Sequence, residues 1–264
     1  MTAQKRKKKT SARTRKKKRA DADRPSRLNA LTGLLLIPVC IALLHTLVHL
    51  VHLLHLAGSN NALLARQLVW LGGGFGFWLI LWFTCTRPYR SYILAHELTH
   101  ALWGVVCGYR ILGMHIGEED GYVELSGSNW MVTLAPYFFP LYTLILVAIW
   151  SSMSLFMDLT HFQPFILGAV GLSWGFHLTF TLVMARRNQP DLVACGPLFA
   201  YPVVIGANTA FLCLFLVVAG SPTLEQAVHS FTASLEGQWR GLLAWIPADI
   251  FSPISSNNPG PPPL

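Results

Sequence analysis

Residues 31–57 read L-T-G-L-L-L-I-P-V-C-I-A-L-L-H-T-L-V-H-L-V-H-L-L-H-L-A, an apolar run that contains no acid, lysine or arginine. A bilayer core of about 30 Å takes roughly 20 apolar helical residues. A cleaved signal peptide has a shorter apolar stretch followed by a small-residue cleavage site. Leu31 to Ala57 has no such site, so it predicts a retained membrane-spanning helix. The same length rule picks out spans near 68–86, 131–157, 164–185 and 197–219. The expected fold class is an all-α polytopic membrane protein of about five to six transmembrane or re-entrant helices.

Composition agrees. Apolar residues make up 53% of the 264 and charged residues only 12%, which excludes an ordinary soluble domain. The formal charge of +8 is unevenly spread: 13 of the 20 Lys and Arg lie in residues 1–27, against Asp21 and Asp23. Residues 1–27 therefore read as a basic, disordered tail on the cytoplasmic side, with anionic lipid headgroups as partners. No nucleic acid is expected, because no base-stacking aromatics interleave with those charges. The five cysteines, Cys40, Cys85, Cys107, Cys195 and Cys213, show no C-x-x-C spacing, so neither a disulfide framework nor a thiolate metal site is indicated.

Toward the other terminus, Leu224, Val228, Phe231, Leu235, Trp239, Leu242 and Ile246 recur every three or four residues. That period predicts an amphipathic interfacial helix over 220–250, capped by Ser221 with Pro222 at its first position. Residues 251–264, rich in proline, are expected to be disordered. Three small-residue pairs, Gly72/Gly76, Gly104/Gly108 and Gly171/Gly175, suit close helix contacts. Pro136 and Pro140 should kink the 131–157 span.

The chemistry lies in the shorter run Tyr92 to Gly108, which holds Ala95-His96-Glu97-Leu98-Thr99-His100. Four helical residues turn about 400°, so His96 and His100 share one face and can bind one Zn²⁺ ion. Glu97 lies one step round, placed to act as general base toward a polarised water. A carboxylate near the bilayer centre costs at least about 2.5–3.5 kcal/mol, so these polar groups need a compensating partner, and a metal supplies one. After this run, Ile111 to Leu125 shows two β-prone runs around Asp120-Gly121, which predicts a small β-hairpin.

H-E-x-x-H in an apolar helix, a hairpin after it, and Asn188-Gln189-Pro190-Asp191-Leu192 opening the last long span resemble the site-2 protease family of intramembrane zinc metalloproteases. The resemblance covers roughly residues 90–210. It implies a membrane-embedded metalloprotease domain over 28–219 that hydrolyses peptide bonds of membrane-spanning or membrane-proximal substrates. It also implies Asp191 as third zinc ligand beside His96 and His100, with Glu97 catalytic. Two departures are visible: no Gly follows Asp191, and the proline pattern before it is short.

Other residues compete for these roles. His177, in the middle of the 164–185 span, is a rival ligand or a supporting group. Glu118, Glu119, Asp120 and Glu124 read as ordinary hairpin acids, and Asn208 as a packing residue too deep for the same ion. His45, His49, His52 and His55 fall in one sector of the first helix. They support an alternative function, a membrane metal-ion transporter or metal-binding protein. The loops carrying Arg110, Arg186 and Arg187 flank two crossings and so share a membrane face. The positive-inside rule makes that face, and the active site, cytoplasmic in a multi-pass cell-membrane protein. A strict count of crossings puts the hairpin outside. The conflict disappears if residues 92–108 enter and leave by one side.

Overall fold

Backbone amides withdrawn from water must bond one another, and the described residues meet that demand almost entirely with helices. The computed structural model describes residues 27–117, 120–187, 189–219 and 222–244. The basic tail up to residue 26, the Pro-rich end, Ile246, Ser221, Asn188, Glu118 and Glu119 lie outside the described residues.

Helix α1 runs over Arg27–Asn60 and α2 over Ala62–Thr84, with the Asn61 side chain accepting from the Leu63 and Leu64 amides to cap α2. Helix α3, Tyr89–Val106, carries the H-E-x-x-H sequence and leads into strands β1, Ile111–Ile116, and β2, Gly121–Leu125. Then come α4, Trp130–Phe138, and α5, Leu141–Ser154. A short turn, Thr160–Phe162, precedes α6, Gln163–Ala185. The chain continues through α7, Pro190–Cys195, α8, Pro197–Ala219, and α9, Leu224–Ala244. Helices α1, α2 and α8 and the stretch Thr160–Ala185 are each long and apolar enough to cross a membrane. The α4 and α5 pair is a fifth candidate. Large apolar side chains point outward along them, among them Leu35, Val48, Ile80 and Phe83.

Two parallel helix pairs fix the directions. Asn29 donates to the Cys195 carbonyl, Cys40 meets the Pro202 carbonyl, and Leu50 packs with Cys213, so α1 and α8 run side by side. Gly33 lets them touch: a Cβ there would lie 2.0 Å from the Leu198 carbonyl oxygen. In α2 and α6, Gly171 meets Leu71, Trp78 donates to Thr179, and Trp82 packs edge-on against Phe180. The start of α1, the ends of α2 and α6, and all of α7 therefore gather at one end of the bundle, called here the near end. Arg27, Arg87, Arg90, Arg186 and Arg187 belong to that end.

Several expectations change. The span over 131–157 is not one helix, because α4 and α5 meet at 75°. Pro140 has no amide to give the Pro136 carbonyl, and Phe139 before it is extended. Of the three glycine pairs, only Gly171/Gly175 forms a helix contact; nothing lies within 4 Å of a Cβ built on Gly72 or Gly76. Gly108 ends α3 at a φ of +83°. The Gly117 amide donates to the Asp120 carbonyl where the two strands meet, and Gly121 is already in β2. Glycine is needed at 121 because a Cβ would lie 2.6 Å from Ile93 and 3.0 Å from Glu97.

Helix α9 also differs. It begins at Leu224, where the Thr223 amide donates to the Gln226 side chain and the Gln226 amide to the Thr223 hydroxyl, a capping box. Pro222 is therefore outside the helix. Ala227 and Ser230 pack inward, while Leu224, Val228 and Trp239 remain exposed. Of the apolar face read from the sequence, Leu224, Val228 and Trp239 are thus left exposed and Phe231 and Leu235 half-buried, while Ala227 and Ser230 are buried beside them.

Candidate metal centre

The largest core cluster lies directly behind α3, built from Trp78, Trp82, Tyr137, Phe176, Phe180, Leu192 and Cys195 among others. It positions the site from two sides. Tyr92 of α3 stacks on Phe180 at 4.7 Å and 9°, which sets the rotation of α3 about its axis. Leu192 and Cys195 bury one face of α7 in the same cluster, so Asp191 in its first turn projects the other way, toward α3.

The i, i+4 spacing brings His96 Nε2 and His100 Nε2 to 3.2 Å. Asp191 Oδ2 lies 3.3 Å from the first and 3.5 Å from the second. These three residues form a group that could hold a metal ion, the one such group among the described residues. His45, His49, His52 and His55 bring no three ligand atoms together, and neither His177 nor Asn208 belongs to the group. Asn208 instead donates to the Tyr137 and Val204 carbonyls.

The outer contacts decide which way each donor faces. His100 Nδ1 lies 2.9 Å from the Val132 carbonyl, which can only accept, so Nδ1 carries the proton and the Nε2 lone pair points inward. Tyr137 donates to Asp191 Oδ2 at 3.1 Å. Tyr92 Oη lies 3.0 Å from His96 Nδ1. Burial alone would raise the Asp191 carboxyl. With both imidazoles protonated, the hydrogen bonds and charge of His100 and His96 outweigh it and hold the group below the usual carboxylate range. An ionised carboxylate oxygen and inward lone pairs at such spacing repel one another unless a cation lies between them. A proton bridges only two of the three atoms.

Glu97 is buried on the same helix, and the Val123 backbone amide of β2 faces its carboxylate. It lines one cavity of about 550 Å³ together with His96, His100, Asp191, Gly121 and Val132. The hairpin and the Gln189 to Asp191 stretch thus meet at one opening. Asp120 is exposed on the turn and Glu124 on β2, neither in the group.

Sequence reasoning overlooked three contributors. Tyr92 was open to detection, because Tyr92, His96 and His100 follow at i, i+4 and i+8 on one helix face. Tyr137 carries no local signal. The Val132 carbonyl is available for a reason that Pro136 supplies: an α-helical residue at 136 would donate its amide to that carbonyl, and proline has none to donate. No family model, curated protein or solved structure matches this chain.

Proposed function

We propose that the protein is a zinc-dependent intramembrane endopeptidase of the site-2 protease type, acting on membrane-spanning or membrane-proximal protein substrates. The observation that carries this reading is the spacing of 3.2, 3.3 and 3.5 Å among the two Nε2 atoms and Asp191 Oδ2. Four ligands tetrahedral about a zinc ion, with bonds of about 2.0–2.1 Å, stand about 3.3–3.4 Å apart. His96, His100 and Asp191 would hold the ion and leave a fourth position toward the cavity. A zinc ion there supplies Lewis acidity, which polarises a carbonyl and acidifies water.

The remaining steps belong to the chain's own groups. Glu97 faces the same cavity, where its carboxylate takes a proton from the attacking water and passes it to the leaving amine nitrogen. His100 is held by the Val132 carbonyl and Asp191 by Tyr137, so neither must reorganise during the reaction. The cavity gives water a place beside helices that otherwise present apolar surfaces, a requirement for hydrolysis within a membrane. Its opening lies at the near end, where Arg87, Arg90, Arg186 and Arg187, with the basic sequence that precedes α1, make the cytoplasmic side the favoured assignment. Anionic lipids are the proposed partners of the tail.

The test is zinc content measured beside cleavage of a panel of single-span substrates, for wild type and Glu97→Gln. One zinc per chain in both, with cleavage only in wild type, is the expected result. Wild-type protein that purifies and refills without any bound metal would overturn the reading.

A further inference from the structure

Beside the main cavity, and sharing His96 with it, is a second hollow of about 20 Å³, lined by Tyr92, His96 and Thr99 on one side and by Tyr142, Ser173 and His177 on the other. That size suits a single water molecule, which needs at least about 10–15 Å³. One group at its wall lacks a partner, and a second comes to lack an acceptor when His96 Nε2 serves a metal. His177 Nε2 is buried and has no hydrogen-bond partner among the described residues. The other side of the ring meets the Asn208 side chain. Asn208 Nδ2 donates to the Tyr137 and Val204 carbonyls, each at 2.8 Å, so both amide hydrogens are engaged. What remains for His177 is the Asn208 carbonyl oxygen, which accepts from Nδ1 and leaves Nε2 as a lone pair.

Tyr92 presents the converse. Its one hydrogen bond among the described residues is to His96 Nδ1. When His96 Nε2 serves a metal, Nδ1 carries the proton and donates to Tyr92, whose own hydroxyl hydrogen is then without an acceptor. A half-buried donor and a buried acceptor therefore belong to the lining of one water-sized space, and leaving either unmade is costly.

We propose that one buried water occupies this hollow, accepting from Tyr92 Oη and donating to His177 Nε2. Its second hydrogen meets the hydroxyl oxygens of the hollow, such as Thr99 Oγ1, which already donates to the Ala95 carbonyl and has lone pairs to accept. The water completes a directed chain from His96 through Tyr92 to His177 and on to Asn208. His177 is then a positioning residue. It never touches the ion, but it orients the Tyr92 hydroxyl so that His96 keeps its Nε2 lone pair toward Asp191. The direction of the His96 bond, and with it the unpaired Tyr92 hydrogen, rests on the metal-binding reading above; the unpartnered His177 Nε2 and the hollow do not.

The deciding experiment has two arms on the full-length protein. A structure determined at a resolution that shows ordered water should place one between Tyr92 Oη and His177 Nε2. A dry hollow, or one closed by side chains, overturns the proposal. In the second arm, Tyr92→Phe, His177→Phe and the double variant are titrated with Zn²⁺ against a chelator and with Co²⁺ by its absorption bands. Each single variant should weaken binding by about 10-fold, and the double should be no weaker than either. Unchanged or additive losses overturn the chain. Tyr92→Phe keeps the ring stacked on Phe180, so its thermal unfolding serves as the control for general damage. If wild type binds no metal while the water is present, the metal reading fails and the water site stands.

Discussion

Pro136 and His100 are connected through a single carbonyl. The Val132 oxygen that an amide at position 136 would occupy instead accepts from His100 Nδ1 at 2.9 Å. A proline inside α4 thereby becomes part of the way α3 presents its imidazole. Pro136→Ala restores the missing amide, which competes for the same carbonyl. Helix α4 itself should gain, since proline in a helix interior costs about 3 kcal/mol relative to alanine. The expected outcome is an unfolding temperature equal to or above wild type together with zinc affinity about 10-fold lower, the usual scale for loss of a supporting bond. Chelator competition and thermal melts on the same samples check it; unchanged affinity would detach Pro136 from the site.

Asp191 and His177 make opposite predictions about stoichiometry. Asp191→Ala removes one of three ligand atoms and should leave zinc substoichiometric even at millimolar-range excess, with helical content intact. His177→Phe should still take up one zinc per chain at saturation, though more weakly. Metal analysis after gel filtration reads both. A chain that keeps its zinc in Asp191→Ala and loses it in His177→Phe would exchange their roles.

Gly121 holds β2 against α3. A methyl group at this position would crowd the Cγ atoms of Ile93 and Glu97. Gly121→Ala should therefore shift the strand or the Glu97 carboxylate and lower kcat, while His96, His100 and Asp191 keep their metal. Loss of zinc along with activity would mean that the strand supports the ligands instead of the base.

The opening of the cavity can be located chemically. Single cysteines at Asp120 and Gln189, in a background without the five native ones, should react with a membrane-impermeant thiol reagent from the cytoplasmic side alone. Labelling of either from outside intact cells would reverse the proposed orientation.

By itself the sequence determined the parts that depend on period and length. Apolar runs of spanning length must become helices, since no other local structure satisfies their amides in an apolar medium, and α1, α2, α6 and α8 follow from Leu31–Ala57 and the later runs. His96 and His100 are four residues apart, so their common face needed nothing beyond helix geometry. The hairpin was visible as two β-prone runs. What tertiary structure alone decided is which distant groups complete that face. Asp191 lies 95 positions from His96 in the chain and reaches it because Leu192 and Cys195 anchor α7 in the core. Tyr137 reaches Asp191 because α4 turns away from α5 at Pro140 in place of continuing as a span. The Gly121 requirement and the exposure of Leu224, Val228 and Trp239 on α9 likewise came from packing between elements. Local pattern specifies the conformation of a segment and the face it offers, but the partner of that face is set by how helices far apart in sequence fill one core.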